Sequence, residues 1–285
     1  MDPYRPNSQP VSLEDAEFFK LSRFIVHHFG IKMPHNKKTM LQGRLQKRLK
    51  ELHYSNFEEY VAYLFSIKGQ HNEVSQMIDA VSTNKTEFFR EPVHFEFLRD
   101  KGLGRYISLT GNRRLSVWSA GCSSGEEAYS IAMTMNEFIK DSQTMLYRIM
   151  ATDISGTMLE QAVTGIYAEE KVREVPLEYK HKYMLKGRNN YLRKIRMNAA
   201  LRDKIEFRKF NLLSNDFQSL GKFDIIFCRN VLIYFDRDVQ YSILMKFCKV
   251  LNKGGYLFLG HSESITGFTL PLIPIRPTIF IKSAD

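Results

Sequence analysis

The chain has 285 residues, of which 44% are hydrophobic and 25% charged, with a formal net charge of +10. This is globular composition with length for one large domain or two smaller ones, and no run of about eighteen apolar residues could form a transmembrane helix. The three cysteines, Cys122, Cys228 and Cys248, are odd in number and form no Cys-x-x-Cys pair, which argues against a disulfide scaffold and fits a reducing cytoplasm.

The polar, Pro-containing stretch Met1 to Pro10 lacks the apolar core of a signal peptide and reads as a short disordered lead. From Ser12 to Ser82 the pattern is helical. Ser12 with Asp15 forms a loose capping-box start, Gly30 a stop, and Phe18, Leu21, Ile25 and Phe29 fall on one face between them. A second helix carries Leu41, Leu45, Leu49 and Leu52 on one stripe. Its remaining faces hold Lys37, Lys38, Arg44, Lys47, Arg48 and Lys50. A third helix begins near Asn56, and a fourth covers about Asn72 to Val81. These make a small helical bundle.

Strand and helix then alternate, which implies a mainly parallel sheet with right-handed crossovers. Leu115–Ser119 is the first strand and Glu126–Ile139 its helix. Tyr147–Thr152, Ile205–Phe207 and Phe223–Phe227 are further strands, the last apolar throughout, as a strand buried on both faces is. A helix over Asp238–Leu251 stops at Lys253-Gly254-Gly255, and Tyr256–Leu259 and Thr278–Ile281 are late strands. Between Gly165 and Glu206 the rhythm breaks. Pro176 starts a short helix, and Lys186-Gly187-Arg188-Asn189-Asn190 reads as the turn of an inserted hairpin. Most of the basic excess between Lys186 and Lys209 sits on this element. It suggests an acidic partner or a solvated, solubilising face.

The segment Trp118 to Ser130 carries the most information. A buried strand reaches a small-residue turn, Gly121-Cys122-Ser123-Ser124-Gly125, and enters a helix whose first turn holds Glu126 and Glu127. That is where an α/β sheet binds a nucleotide-like cofactor. It is not the Gly-x-Gly-x-x-Gly dinucleotide pattern, and two carboxylates would repel a pyrophosphate. They suit the helix dipole, and they also suit a cationic ligand with an amino group and a sulfonium, S-adenosylmethionine. Asp153, after the second strand, is placed to accept from ribose hydroxyls or to cap the helix near Ser155. Arg229, Asn230 and Tyr234 follow the fourth strand at the carboxyl edge and are too polar for simple packing. His27-His28 and His261 lack ligand-type spacing, so no metal is expected.

Six stretches in one order resemble the chemotaxis-receptor methyltransferase (CheR) family. They are Thr83 to Glu91, Trp118 to Ser130, Ala151 to Ile154, Phe210 to Leu213, Phe227 to Asp236 and Gly260 to Glu263, within a span of about Leu13 to Ile281. The resemblance implies an N-terminal helical domain over 11–85 and a catalytic α/β domain over 86–285, with a small antiparallel β subdomain inserted at about 183–204. It implies methylation of receptor glutamates with S-adenosylmethionine as cofactor, and no metal. Asn84, Thr86, Arg90, Gly121, Glu127, Asp153, Asn211, Leu212, Arg229 and Asn230 would surround the cofactor. Arg90 and Tyr234 would lie nearest its methyl group. The basic residues Lys37, Lys38, Arg44, Lys47 and Arg48 would read the acidic helical methylation region of a chemoreceptor, and the β subdomain could hold a receptor C-terminal peptide. The expected protein is cytoplasmic and monomeric, without nucleic acid or membrane insertion. Two rivals stand beside this. A nucleic-acid methyltransferase would explain the charge, but Cys228-Arg229-Asn230-Val231 replaces the Asp/Asn-Pro-Pro-aromatic motif that amino-methylating enzymes carry. A non-catalytic cofactor-binding signalling module would have no need of Arg90, Glu127, Asp153, Asn230 and Tyr234 together.

Overall fold

A computed structural model describes residues 10–142 and 145–283, so the lead read as disordered, Met1 to Pro10, lies outside the described residues except for Pro10. The chain divides into two compact units, one ending at Thr83 and the other beginning at Asn84.

The first unit is helical. Asp15–Phe29 buries Phe18, Leu21 and Ile25 and ends at Gly30, whose φ of 71° and N–H bond to the Val26 carbonyl close the helix. The capping box expected from Ser12 does not form. Glu14 is the N-cap and gives no side-chain cap bond, while Asp15 pairs with Lys38 at 2.5 Å. Lys38–Glu51 buries the stripe Leu41, Leu45 and Leu49. Asn56 caps Phe57–Phe65 by accepting from the Glu59 N–H. The fourth expected helix is Val74–Val81, and a further short helix that the sequence reading did not place, Ile67–Asn72, precedes it. Buried Glu73 joins them and takes Arg48 on both oxygens, at 2.8 and 2.6 Å, plus the Tyr60 hydroxyl at 3.1 Å.

The second unit is built on a seven-stranded sheet. In chain order the strands of the unit are β1 Arg114–Ala120, β2 Leu146–Asp153, β3 Ile166–Ala168, β4 Met184–Lys186, β5 Lys194–Met197, β6 Ile205–Lys209, β7 Phe223–Cys228, β8 Leu251–Leu259, β9 Leu272–Arg276 and β10 Ile279–Lys282. The large sheet runs β6-β2-β1-β7-β8-β10-β9, parallel from β6 to β8 and antiparallel beyond. A separate antiparallel sheet, β3-β5-β4, is inserted between β2 and β6. Every residue of β7 is buried, as its unbroken apolar run requires of a central strand. One face of the sheet packs Val117, Ile149, Phe227 and Phe258 under the helix Glu126–Ser142; the other packs Trp118, Ile226 and Leu257 under Arg237–Val250.

One local expectation fails and two elements went unread, each for a physical reason. Helix Arg237–Val250 ends before the glycine pair, and Gly254-Gly255 lies inside β8. There Gly254 has φ of 74°, and a Cβ on Gly255 would meet the Asp224 carbonyl oxygen at 2.6 Å. The pair therefore lets β8 approach β7 where its register shifts. Strand β9 was hidden by Pro274, which a sheet tolerates only where no ladder N–H is needed, and β9 is the edge. The helical stretch Val93–Thr110, with a π-turn at Leu98–Gly102, gave no clean periodicity.

Candidate active site

The chain runs from β1 to β2 and β6 on one side, then back to β7 on the other, so the strand order reverses at β1 and β7. The carboxyl ends of β6, β2, β1 and β7 are where such a sheet binds its ligand. They present Asn211, Asp153, the turn Gly121–Gly125 and Arg229-Asn230 side by side.

The turn after β1 is tightly held. Gly121 and Cys122 donate their N–H groups to the Thr152 carbonyl at 2.7 and 2.9 Å. Gly121 has φ of 83°, and a Cβ there would lie 2.4 Å from Val231 Cγ2, so only glycine lets the loops after β1 and β7 meet. Ser123, also left-handed at φ 50°, donates its N–H to Asp153 Oδ2 at 2.7 Å and its hydroxyl to the Asn84 carbonyl at 3.0 Å. Asp153 Oδ1 accepts from the Ser155 N–H at 2.9 Å, and the cap of the next helix is Ser155 itself. Asp153 is the last residue of β2 rather than its successor. Its carboxylate shapes the loop, and ribose hydroxyls would share its oxygens with these amides.

The two carboxylates at the start of the helix differ. Glu126 is fully buried, accepts from the Ser124 hydroxyl at 2.7 Å and pairs with Lys171 at 3.5 Å. It belongs to the interior, not to a ligand face. Glu127 accepts from Ser119 at 2.6 Å and from Arg229 Nη1 at 3.2 Å. Burial pushes its carboxyl above the ordinary range despite Arg229 and Ser119. Arg229, whose side chain is 2% exposed, also pairs with Glu91 at 3.1 Å, donates to the Arg90 carbonyl and lies 5.4 Å from the Phe95 ring. One guanidinium thus serves two carboxylates, and a buried negative charge is left for a cation to balance.

Asn84, Thr86 and Arg90, all half-buried, come from the irregular segment before the helix at Val93. Arg90 Nη1 donates to the Lys85 carbonyl at 3.2 Å, while Phe89 and Glu91 take φ of 53° and 55°. Such strain clusters at functional sites. Phe88 is core, edge-on to Tyr167. Leu212 is buried, and Asn211 Oδ1 accepts from the Leu213 N–H at 2.9 Å. Tyr234 is half-buried in the short 3₁₀ turn Leu232–Tyr234.

Motif reading gave no role to Glu91, His94, Ser119 or Glu263. Glu263 lies in a quoted stretch, yet only the fold shows its task. Its 8%-exposed carboxylate accepts N–H bonds from Asn230 at 3.0 Å, Val231 at 2.8 Å, Leu232 at 2.6 Å and Gly260 at 2.6 Å. Burial pushes this carboxyl up against those four donors. They hold Asn230 at φ 60°. The basic residues of the helical unit that were expected to read a receptor are tied in part. Arg44 donates to the Val81 and Ser82 carbonyls and to Thr83, Arg48 to Glu73 and Glu51, and Lys37 to the Lys32 carbonyl at 3.0 Å, whereas Lys47 is 82% exposed.

Two family models cover the chain: "CheR methyltransferase, all-alpha domain" over residues 16–82 and "CheR methyltransferase, SAM binding domain" over 84–279. The chain belongs to the CheR methyltransferase family. It is 38% identical over 261 residues to a chemotaxis protein methyltransferase of Borreliella burgdorferi, covering 90% of this chain and 91% of that one. With the chemotaxis protein methyltransferase of Escherichia coli it shares 36% identity over 279 residues, 98% of this chain and 94% of that one. It is an S-adenosylmethionine-dependent methyltransferase. Family membership and the two-part fold, helical domain then α/β domain with an inserted antiparallel sheet, agree with the resemblance read from the motifs. Among the described residues no helix is long and apolar enough to cross a membrane.

Proposed function

We propose that the chain methylates glutamate side chains of chemoreceptors, forming glutamyl methyl esters and S-adenosylhomocysteine. The observation that carries this reading is the under-balanced pair of carboxylates Glu91 and Glu127 around Arg229, at the sheet edge where the strand order reverses. A sulfonium and an ammonium fit that surplus of negative charge; a pyrophosphate does not. S-adenosylmethionine supplies an electrophilic methyl group. Glu127 holds its cationic end, Asp153 faces the ribose, and Asn84, Thr86, Gly121, Asn211, Leu212, Arg229 and Asn230 complete the lining. Arg90 and Tyr234 orient the acceptor. A glutamate, with an ordinary pKa of about 4.3, is already an anion at neutral pH, so no general base is required. Alignment of oxygen, carbon and sulfur is the main demand, and positioning of this kind contributes up to about 7–11 kcal/mol.

The acceptor is read from the relatives' names together with the basic face that includes Lys37, Lys38, Arg44, Lys47 and Arg48, which suits an acidic helix. A receptor C-terminal peptide could add to β4, the edge of the inserted sheet, beside exposed Leu185, Tyr191 and Leu192. The protein acts in the cytoplasm as a monomer on this reading. The test is methyl transfer from labelled S-adenosylmethionine to a purified receptor cytoplasmic fragment, followed by mild alkali. Alkali-labile label on the receptor supports the ester. Alkali-stable label would show N-methylation, and no label with the cofactor bound would point to a non-catalytic module; either sinks the proposal.

A further inference from the structure

Tyr234 is half-buried, and among the described residues its hydroxyl makes no hydrogen bond and its ring meets no other aromatic ring. No polar contact fixes the end of this side chain, so its aim depends on the backbone of the turn Leu232–Tyr234. A 3₁₀ turn this short supplies little of its own support. It has the Tyr234 N–H on the Val231 carbonyl at 3.2 Å and the Phe235 N–H on the Leu232 carbonyl at 3.0 Å. Buried Leu232 and Phe235 anchor it on either side.

The remaining support reaches in from outside the turn. From the loop after β8, Glu263 takes the N–H groups of Asn230, Val231 and Leu232. From the following helix, Gln240 Nε2 donates to the Leu232 and Phe235 carbonyls, both at 3.0 Å. Carbonyl oxygens only accept, so the amide must turn its nitrogen toward them, and its two N–H groups match the two acceptors. Phe235 is extended, with φ of −105° and ψ of 153°, and lies between the turn and the helix Arg237–Val250. Among the described residues its carbonyl has no other donor. Loss of the amide would strand that oxygen in a half-buried place. Gln240 is itself carried on a rigid element, since its N–H bonds to the Asp236 carbonyl at 2.8 Å in the first turn of the helix.

We propose that Gln240 is a positioning residue for methyl transfer: its amide sets the turn that aims the Tyr234 hydroxyl at the acceptor carboxylate. The inference rests on the reading that Tyr234 orients the acceptor. It divides the loop after β7 between two braces. Glu263 fixes Asn230 to Leu232, the part set against the cofactor, and Gln240 fixes Leu232 to Phe235, the part set against the acceptor. Loss of the first brace should appear in cofactor affinity, and loss of the second in turnover.

The test is Gln240→Met, which keeps the length of the side chain and removes both donors. With S-adenosylmethionine and a receptor cytoplasmic fragment saturating, turnover should fall by about tenfold or more, while the cofactor dissociation constant stays within about twofold. A merely structural loss would multiply with any other defect. Positioning does not: in a Tyr234→Phe background, Gln240→Met should slow turnover by no more than about twofold beyond the single variant, because the hydroxyl it aims is gone. Normal turnover in Gln240→Met, or losses that multiply in the double variant, overturns the proposal and leaves the reading of Tyr234 standing. Normal turnover in Tyr234→Phe overturns that reading and this inference with it. A second measurement needs no acceptor. In protein labelled with 3-fluorotyrosine, the ¹⁹F signal that Tyr234→Phe deletes should shift or broaden in Gln240→Met. If the receptor fragment accepts no methyl group, the proposed function fails and this signal decides alone: a shifted signal upholds the positioning of Tyr234 by Gln240, and an unmoved one overturns it.

Discussion

At the scale of single residues, Glu127 is the carboxylate that the proposed function sets against the cationic end of the cofactor. Burial holds its carboxyl above the ordinary range in the free protein, and a bound sulfonium or ammonium would draw it down again. Binding must then release a proton wherever Glu127 is partly protonated. S-adenosylmethionine affinity should fall as pH drops through the raised value, and Glu127→Gln should flatten that dependence and lower affinity by about 1.5–3 kcal/mol, measured by calorimetry across pH. Tyr234→Phe tests a different role. Turnover should drop while the dissociation constant for the cofactor stays within about twofold, because uniform binding is untouched; a weakened cofactor with normal turnover at saturation would contradict it. The sequence made Glu127 legible through its place after the small-residue turn. The helix-start pattern by itself treats Glu126 and Glu127 alike; the family resemblance singled out Glu127, and the packing of the helix shows Glu126 facing inward.

Among the elements, the loops after β1, β7 and β8 form one unit through Glu263 and Gly121. Glu263→Gln keeps the shape but replaces charge-assisted acceptors with an amide that turns an N–H₂ toward backbone donors. Stability should fall by about 1.5–3 kcal/mol in denaturant melts, with a parallel loss of cofactor affinity. Gly121→Ala meets both a left-handed φ and the Val231 methyl. Val231→Ala in the same chain should recover the steric part and leave a residual of about 1–2 kcal/mol from the backbone, a separation that a double-mutant cycle measures. The parallel strands were readable because buried strands are apolar runs. Strand β9 was not, because Pro274 is a breaker everywhere except at an edge, and edges are assigned by topology rather than by composition. Glycine is ambiguous in the same way. Gly254-Gly255 reads as a helix stop, but the close approach of the Asp224 carbonyl makes it part of β8.

For the whole molecule, the net charge of +10 has to be divided between work inside the fold and work on its surface. Sequence reading treats Arg44, Lys47 and Arg48 alike, because the periodicity puts all three off the leucine stripe. The structure separates them. Arg48 is the partner of Glu73, a 1%-exposed carboxylate, so Arg48→Glu would bury two like charges and cost about 3–5 kcal/mol of helical-unit stability. A loss of receptor methylation in that variant would say nothing about docking. Lys47 and Lys50 are exposed, and reversal of surface charges rarely moves stability by more than about 0.5 kcal/mol each. If the basic face steers an acidic receptor helix, Lys47→Glu/Lys50→Glu should keep its melting temperature and cofactor affinity while receptor methylation at low salt slows by about 2- to 30-fold. The gap between variant and wild type should narrow as added salt shortens the screening length to about 8 Å, since exposed charges are the ones that salt silences. An unchanged rate at low salt would place the receptor on another surface and leave the proposed cofactor site untouched.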